Sequence, residues 1–354
     1  MKVFGFSVTD TRKMPRMEKK AHKRSPLRVV TMLARQKLVI ALINLSGGRA
    51  SRLQIMKQAF LLRQRLSPDY ARCFYEFLPY QYGPFSFALY HDLSNMASAG
   101  LITFPSDRTV GTTEFASTLN ERLDARLLKE VDAFWSIYGK YRIGELVNLV
   151  YERYPWYASR SRRAKQSEPT EEPKCAVYTI GYEGMQIDGF LNLLLSSGIR
   201  TIIDVRKNAV SRVYGFYGST LAFIAKRVGI GYRHVPELGI PSEWRINLDS
   251  EEDLSALFMK YRGEVLPSVE NSVANIASLI VQKPSVLMCL ESNPVHCHRS
   301  IVAEEVSRVT GLSIRDLRWA NADAATDDTS TYHRDDLSPS FKGLQGAGMH
   351  RRHH

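Results

Sequence analysis

Cysteine is scarce in this sequence, which contains four in 354 residues: Cys73, Cys175, Cys289 and Cys297. Four scattered cysteines are too few for the disulfide framework of a small secreted domain. The first 25 residues lack the apolar core and the small-residue cleavage site of a secretory signal. We therefore expect a cytoplasmic protein that works in a reducing environment.

Long apolar runs are missing as well. The stretch FLNLLLSSGI falls well short of the roughly 20 apolar residues that a membrane-spanning helix needs, so no membrane partner is expected. Hydrophobic residues make up 44% of the chain and charged residues 24%, which is ordinary for a globular protein. A chain of 354 residues is too long for one small core, so we expect two domains with additional tails.

Acidic residues are outnumbered: 36 Asp and Glu stand against 48 Lys and Arg, which gives a formal charge of +12. The first 35 residues hold ten basic and two acidic side chains, and RSRRAK at 160–165 adds four more basic ones. This excess favours nucleic acid as a partner, DNA more than RNA. The alternative is that the excess charge only solvates tails and linkers.

Residues 35–157 follow a basic arm (1–34) and show helical periodicity. Ser51 is a candidate N-cap for the second helix. The segment FYEFLPYQYGPFS, rich in proline and glycine, is predicted to be a loop. The predicted order is three helices (RQKLVIALINL, SRLQIMKQAFLLRQRL and FALYHDLSNMASAGLI), a hairpin in LITFPSDRTVGTTEFA, and two helices around 118–138 and 142–153.

This order of three helices and a hairpin is typical of a winged helix, a module that binds nucleic acids and proteins. The segment YQYGPFSFALYHDLSNMASAGLI also resembles the Panacea domain, the SocA-like module of bacterial antitoxins. The Tyr-Gly-Pro turn of that family and its Leu/Tyr-rich helix correspond to Tyr82, Gly83, Pro84, Leu89 and Tyr90, and LVNLVYERYP matches its next helix. The resemblance implies a helical module that docks a protein partner in defence or toxin–antitoxin systems.

The periodicity changes after a polar linker at 158–174. Apolar strands (AVYTIG, RTIIDVR, GYRH and PSVLMCLE, with a last short strand near SIRDL) alternate with amphipathic helices. Near-continuous apolar strands indicate a parallel sheet that is covered on both faces. Residues 175–319 therefore predict a three-layer, Rossmann-like α/β domain, and residues 320–354 predict a flexible tail.

Polar residues follow three of the predicted strands. Tyr182 follows the first strand, Asp204 and Arg206 end the second, and Cys289 and Glu291 end the fourth. Ligands of open α/β sheets bind at the carboxyl ends of the strands. We therefore expect a ligand site at this edge, although side chains alternate between the two faces of a strand and need not all reach the same side.

The segment PVHCHRS brings cysteine and histidine to the start of the last helix. A helix N-terminus attracts anions and lowers the pKa of a thiol, so Cys297 is a candidate nucleophile. Two alternatives stay open. Cys289 and Cys297 with His298 or His296 could bind zinc, although the spacing is irregular. The same residues could instead form a buried network with no chemistry. No metal or other cofactor is assigned at this point.

Residues 176–315 resemble the bacterial domain-of-unknown-function 488 family. The matching pieces are TIGYEG, IDVRKNAVSR, LAFIAKRVGIGYRHVPELG and CLESNPVHCHRSIVAE. The resemblance implies an α/β fold and a pocket, without an established reaction. The polar residues it implies are Asp204, Arg206, Ser211, Arg212, Cys289, Glu291, Cys297, His298 and Arg299.

The loop 207–217, KNAVSRVYGFY, is both basic and aromatic. Its basic side chains suit phosphates, while Tyr214, Phe216 or Tyr217 could stack on a base. The alternative is a packed lid with a solvated edge.

We therefore predict an enzyme of bacterial defence or DNA processing that acts on nucleic acid or a nucleotide, by hydrolysis or exchange at a base or phosphate-linked unit. Its predicted catalytic residues are Asp204, Glu291, Cys297 and His298, and its predicted substrate- or anion-binding residues are Tyr182, Arg206, Ser211, Arg212, Arg299 and Cys289. The alternatives are a regulatory protein that senses a nucleotide and a thiol or zinc protein.

Overall fold

A computed structural model describes residues 32–118, 123–163, 174–245 and 250–318. The predicted arm, most of the linker and the tail lie outside these ranges, so their character stays a prediction. We call the described residues up to 163 the helical module and those from 174 the α/β module. Among the described residues, no helix combines the length and apolar character needed to cross a membrane.

The helical module combines short helices with two small sheets. Its helices are α1 (Ala34–Leu45), α2 (Arg52–Arg63), α3 (Pro68–Cys73), α4 (Phe87–Ser98), α5 (Glu114–Thr118), α6 (Ala125–Tyr138), α7 (Ile143–Arg153) and α8 (Pro155–Ala158). Its strands are β1 (Arg49–Ser51), β2 (Leu78–Tyr80), β3 (Gly83–Phe85), β4 (Ile102–Ser106) and β5 (Thr109–Thr112). The strand order β1-β5-β4 joins the predicted hairpin to an additional strand. That this module is a winged helix stays a prediction.

One segment of this module differs from its prediction. FYEFLPYQYGPFS was expected to be a loop, but it contains the antiparallel pair β2–β3, in which Pro79 lies opposite Pro84. In an antiparallel pair of strands, every second pair of opposite residues exchanges no backbone hydrogen bonds. Two prolines, which lack an N–H, can therefore lie opposite each other at such a position without loss of a hydrogen bond. Gly83 closes the turn with a φ of 86°, a conformation that favours glycine. The predicted cap at Ser51 is confirmed, since its hydroxyl accepts from the Gln54 amide at 3.0 Å.

The α/β module contains a parallel sheet between two layers of helices, as the sequence predicts. Within the described ranges its strands are β6 (Val177–Gly181), β7 (Thr201–Asp204), β8 (Gly231–His234), β9 (Ser285–Cys289) and β10 (Ile314–Leu317). The helices are α9 (Ile187–Ser196), α10 (Gly218–Arg227), α11 (Glu251–Lys260), α12 (Glu270–Gln282) and α13 (His298–Thr310). The strand order is β10-β6-β9-β7-β8, with every neighbouring pair parallel.

Strand β9 lies at the centre of this sheet, and all five of its residues are buried. Val286 and Met288 face the layer of α9 and α10, whereas Leu287 and Cys289 face the layer of α11, α12 and α13. A strand with apolar side chains on both faces needs a helix layer on each side, which explains its continuous apolar sequence.

The two modules contact each other where the carboxylate of Asp188, in the α/β module, meets the N-terminus of helix α4 in the helical module. Asp188, fully buried in the first turn of α9, accepts hydrogen bonds from the Phe87 amide at 2.6 Å, the Ala88 amide at 2.9 Å and the Ser86 hydroxyl at 2.8 Å. These donors begin helix α4, whose first amides have no partner within the helix. Asp188 therefore acts as a cap supplied from outside the helix.

Glu76 of the helical module lies at the N-terminus of α9. Its carboxylate approaches Gly189 so closely that a Cβ atom at that position would be 1.9 Å from Glu76 Oε2. Burial raises the pKa of Glu76 to about 7, although Arg63 and two backbone amides favour the charged form. Burial likewise raises the pKa of Asp188 to about 7, against its three donors. The interface between the modules thus contains one fully buried carboxyl group, that of Asp188, and one partly buried carboxyl group, that of Glu76.

The substitution Asp188→Ala should lower the free energy of unfolding by about 2–4 kcal/mol, because the buried donors at the start of α4 lose their acceptor. Chemical denaturation of the full chain measures this. Asp132, an exposed aspartate on α6, provides the control, and Asp132→Ala should change stability by less than about 0.5 kcal/mol. Equal effects of the two substitutions would contradict the assignment of Asp188 as a cap.

Candidate functional site

The carboxyl ends of the parallel strands lie along one edge of the sheet, which we call the carboxyl edge. Asp204 ends β7, Cys289 ends β9, and Tyr182 directly follows β6. The structure therefore brings the predicted polar residues of three strands to one edge. Side-chain alternation nevertheless divides them into two groups on opposite faces of the sheet.

The first group lies on the face covered by α9 and α10 and consists of Tyr182, Asp204, Arg206 and Tyr232. The Arg206 guanidinium donates to both oxygens of Asp204, at 2.8 and 2.6 Å, and to the Tyr182 hydroxyl at 3.0 Å. The Tyr232 hydroxyl donates to Asp204 at 2.7 Å. Asp204 is 0% exposed and Arg206 is 5% exposed.

These bonds occupy the groups that were predicted to do chemistry or to bind an anion. Asp204 has both oxygens engaged, and the Arg206 guanidinium bonds to Asp204 and Tyr182. The geometry therefore favours a positioning role for Asp204, Arg206 and Tyr182 over direct contact with a substrate. Tyr232 was not among the predicted site residues, because its strand, GYRH, carries no signal that its hydroxyl reaches a carboxylate on β7.

Arg299 also serves the structure of the edge. This side chain is 0% exposed, donates to the backbone oxygens of Glu291 and, at 3.0 Å, of Ser292, and lies 3.4 Å from an oxygen of Asp316. It thereby ties the loop after β9 to helix α13 and strand β10. Arg299 was predicted to bind an anion, but these contacts hold the backbone of the candidate site instead.

The second group lies on the other face and contains Cys289, Cys297 and His298, which we call the thiol–imidazole cluster. Cys297 immediately precedes α13, and His298 is its first residue. One ligand atom from each residue lies within 4.8 Å of the other two, and His298 Nδ1 is 3.8 Å from Cys289 Sγ. Nε2 of His298 is 3.0 Å from the carbonyl oxygen of Val205, just beyond β7.

The two thiols of the cluster differ in their acidity. Burial raises the pKa of Cys297, but the hydrogen bond from Cys289 and the neighbouring His298 and Arg299 outweigh it and bring the pKa well below its usual range. The bond to Cys297 and burial raise the pKa of Cys289. The lower pKa thus belongs to Cys297, as expected for a cysteine at a helix N-terminus.

Glu291 lies beside the cluster, with Oε2 3.3 Å from Cys289 Sγ. The residue is only partly buried, so it connects the cluster to solvent. Burial and the neighbouring Cys297 raise the pKa of this carboxyl above its usual value. A carboxyl group with a raised pKa is suited to proton transfer near neutral pH, which agrees with its predicted role as general acid or base.

His296, the alternative imidazole of the sequence-based zinc prediction, lies on the surface. Its ring nitrogen is 3.2 Å from a carboxylate oxygen of Glu251, and its side chain is 44% exposed. Of the two histidines, only His298 belongs to the cluster.

The basic and aromatic loop begins directly after Arg206, next to the backbone that His298 contacts. Lys207, Arg212 and Tyr217 are exposed. Phe216, by contrast, is buried and stacks on Tyr182 with ring centroids 4.2 Å apart. Tyr217 is therefore the aromatic side chain of this segment that is best placed to stack on a base.

Two further side chains of the loop make internal contacts. Tyr214 stacks on His91 of helix α4 with ring centroids 3.9 Å apart, so the helical module reaches this loop. The hydroxyl of Ser211, a predicted anion ligand, accepts from the amide of Val213 at 3.1 Å. Ser211 thus shapes the turn that carries Arg212.

A family model described as Domain of unknown function DUF488 matches residues 186–306. This match lies inside the range 176–315 and confirms the resemblance of the C-terminal part of the chain. No curated protein and no solved structure shows a significant match to the chain. The resemblance of the N-terminal part to the Panacea domain stays a prediction.

Asp204→Asn should lower the free energy of unfolding by about 3–5 kcal/mol, because it leaves the Arg206 guanidinium buried without its counter-ion. Glu305→Gln is the matched control, since it also breaks a carboxylate–arginine pair, with Arg308, at a site where the arginine is 71% exposed. Such a surface pair contributes less than about 1 kcal/mol. Urea denaturation of both variants measures the difference. A stable Asp204→Asn protein would show that the pair does not hold the edge together.

Proposed function

We propose that this protein is an enzyme that acts on nucleic acid or a nucleotide and catalyses hydrolysis or exchange at a base or phosphate-linked unit. The observation that carries the proposal is the contact of His298, in the thiol–imidazole cluster, with the backbone of Val205, two residues before the loop that begins at Lys207. The cluster and Glu291 alone would suit many substrates. The exposed Lys207 and Arg212 of this loop favour an anionic one.

The exposed part of the loop provides the substrate contacts in this proposal. Lys207 and Arg212 bind phosphate oxygens, and Tyr217, which is 49% exposed, stacks on a base. The excess of 12 positive charges over the whole chain supports a polyanionic substrate, with DNA preferred over RNA. Since His91 stacks on Tyr214, the helical module lies close enough to this loop to contact the same polymer.

Glu291 is the proton-transfer residue in this proposal. It is the predicted catalytic carboxylate with a path to solvent, whereas Asp204 is occupied by Arg206. The thiol–imidazole cluster is more deeply buried than Glu291, so Glu291 is the group of this set that faces the substrate. Arg299 and the Asp204–Arg206 pair keep the backbone of these residues in place.

The cellular location and biological role of this activity are predicted only from the sequence. A cytoplasmic location, a role in bacterial defence or DNA processing, the division into two domains and a protein partner for the helical module stay predictions. A regulatory protein that binds a nucleotide without altering it is the alternative that the experiment below separates.

The double variant Lys207→Ala/Arg212→Ala should bind single-stranded DNA more weakly than the wild-type chain. The slope of log affinity against log salt is negative. If each side chain contacts one phosphate, the double substitution should make this slope less steep by about 1.4. Fluorescence anisotropy over a series of salt concentrations measures this slope. Mass spectrometry of the same mixtures detects altered nucleotides, which should form with the wild-type chain and not with Glu291→Gln.

Arg200 and Lys283 provide the matched control, because both are exposed and lie at the opposite, amino edge of the sheet. Arg200→Ala/Lys283→Ala removes the same charge and should leave the salt slope unchanged. Equal slopes for the two double variants would exclude the loop as the binding surface. Binding without any altered nucleotide would favour the regulatory alternative over an enzyme.

A further inference from the structure

We propose that Cys289, Cys297 and His298 bind a zinc ion, with Glu291 beside its fourth coordination position. The metal site itself does not depend on the proposed function. The role of the metal in hydrolysis, given below, does rest on that function.

The distances within the cluster are close to those of a zinc site. In tetrahedral coordination, with Zn–S near about 2.3 Å and Zn–N near about 2.0 Å, neighbouring ligand atoms lie about 3.6–3.8 Å apart. The distance from His298 Nδ1 to Cys289 Sγ is 3.8 Å, and all three ligand atoms lie within 4.8 Å of one another. Small side-chain rotations would therefore bring the three atoms around one metal ion.

The contact between His298 and Val205 favours metal binding. A carbonyl oxygen can only accept, so Nε2 of His298, 3.0 Å from the Val205 oxygen, carries a hydrogen. In the neutral ring the lone pair is then on Nδ1, the atom that faces Cys289. Metal-binding histidines commonly donate their second ring nitrogen to a backbone carbonyl or carboxylate in this way, which fixes both tautomer and ring orientation.

The burial of the cluster distinguishes a metal site from a nucleophilic cysteine. Cys289 and Cys297 are each 1% exposed and His298 is 2% exposed. A side chain this buried is poorly placed to attack a polymer directly, whereas a metal ion held by it can carry a water on the side of the partly exposed Glu291. Two cysteine sulfurs, which lose their protons when a metal binds, and one imidazole are soft and borderline donors that suit zinc better than magnesium, calcium or manganese.

The ligand set does not follow a common zinc-binding spacing, because seven residues separate Cys289 and Cys297 and there is no CxxC pair. The two cysteines are nevertheless close in space, since one ends β9 and the other precedes α13. Both positions lie on rigid elements, and Arg299 ties the intervening loop to them. A metal site needs ligands that are held in this way before the ion arrives.

Glu291 is a candidate proton acceptor for a water molecule at the fourth coordination position of the zinc. Three protein ligands and one water are the arrangement of catalytic zinc sites, and zinc lowers the pKa of bound water to about 7. In the proposed hydrolysis Glu291 would accept the proton of the attacking water and return it to the leaving group, so that one water is consumed. The zinc, held by Cys289, Cys297 and His298, would supply the acidity of that water.

Metal analysis of the full chain, purified without chelators or added metals, tests the site directly. We expect one zinc per chain. Replacement by cobalt should give thiolate-to-cobalt charge-transfer absorption and intense visible bands of a four-coordinate site. A chain that contains no zinc and gives no such spectrum with cobalt would overturn the proposal, as would stoichiometric iron or copper.

Cys297→Ser should reduce the zinc content by about tenfold or more, because a ligand is lost. Cys73→Ser and Cys175→Ser, at the two exposed cysteines, are the matched controls and should keep full zinc content. Circular dichroism shows whether Cys297→Ser folds, and the wild-type measurements decide the proposal if it does not. Full zinc content in a folded Cys297→Ser protein would exclude this residue as a ligand. Since these assays contain no nucleic acid, their outcome is separate from that of the proposed function.

Discussion

The contact between His298 and the Val205 carbonyl is the interaction on which the candidate site depends. It joins the first residue of α13 to the end of β7, although these elements are about ninety residues apart in the chain. The contact is possible because β9 lies between β6 and β7, so the helix that follows β9 begins at the end of its neighbour. This contact orients the imidazole, so that its other nitrogen, Nδ1, lies 3.8 Å from Cys289 Sγ.

The alternation of side chains along each strand places the Asp204–Arg206 pair and the thiol–imidazole cluster on opposite faces of the sheet at the carboxyl edge. On one face, Asp204 and Arg206 satisfy each other and stabilise the turn that leads into the basic loop. On the other face lie the thiol–imidazole cluster and Glu291, whose Oε2 is 3.3 Å from Cys289 Sγ. Because Val205 lies between Asp204 and Arg206 in the chain, the supporting pair also fixes the carbonyl that His298 contacts.

The strands of the α/β module, and the edge of the sheet at which the polar residues lie, could be predicted from the sequence, because buried parallel strands are apolar throughout and polar residues stand at their ends. The partners of those residues could not. Residue type does not reveal that Asp204 binds Arg206, that Phe216 packs beneath Tyr182, or that Asp188 caps a helix 100 residues earlier. Such contacts depend on which strands are neighbours, and the strand order β10-β6-β9-β7-β8 cannot be predicted from the local pattern of apolar residues. The family match likewise supports the C-terminal part of the chain without supplying a reaction.

The protonation and ligation of His298 test the central claim most directly. Nitrogen-15 NMR of the histidine side chains, recorded on the full chain as purified, distinguishes a protonated, a free and a metal-bound ring nitrogen. The account predicts that His298 carries its hydrogen on Nε2 and that Nδ1 has the shift of a metal-bound nitrogen. A ring with its hydrogen on Nδ1, or one protonated on both nitrogens at neutral pH, would contradict it.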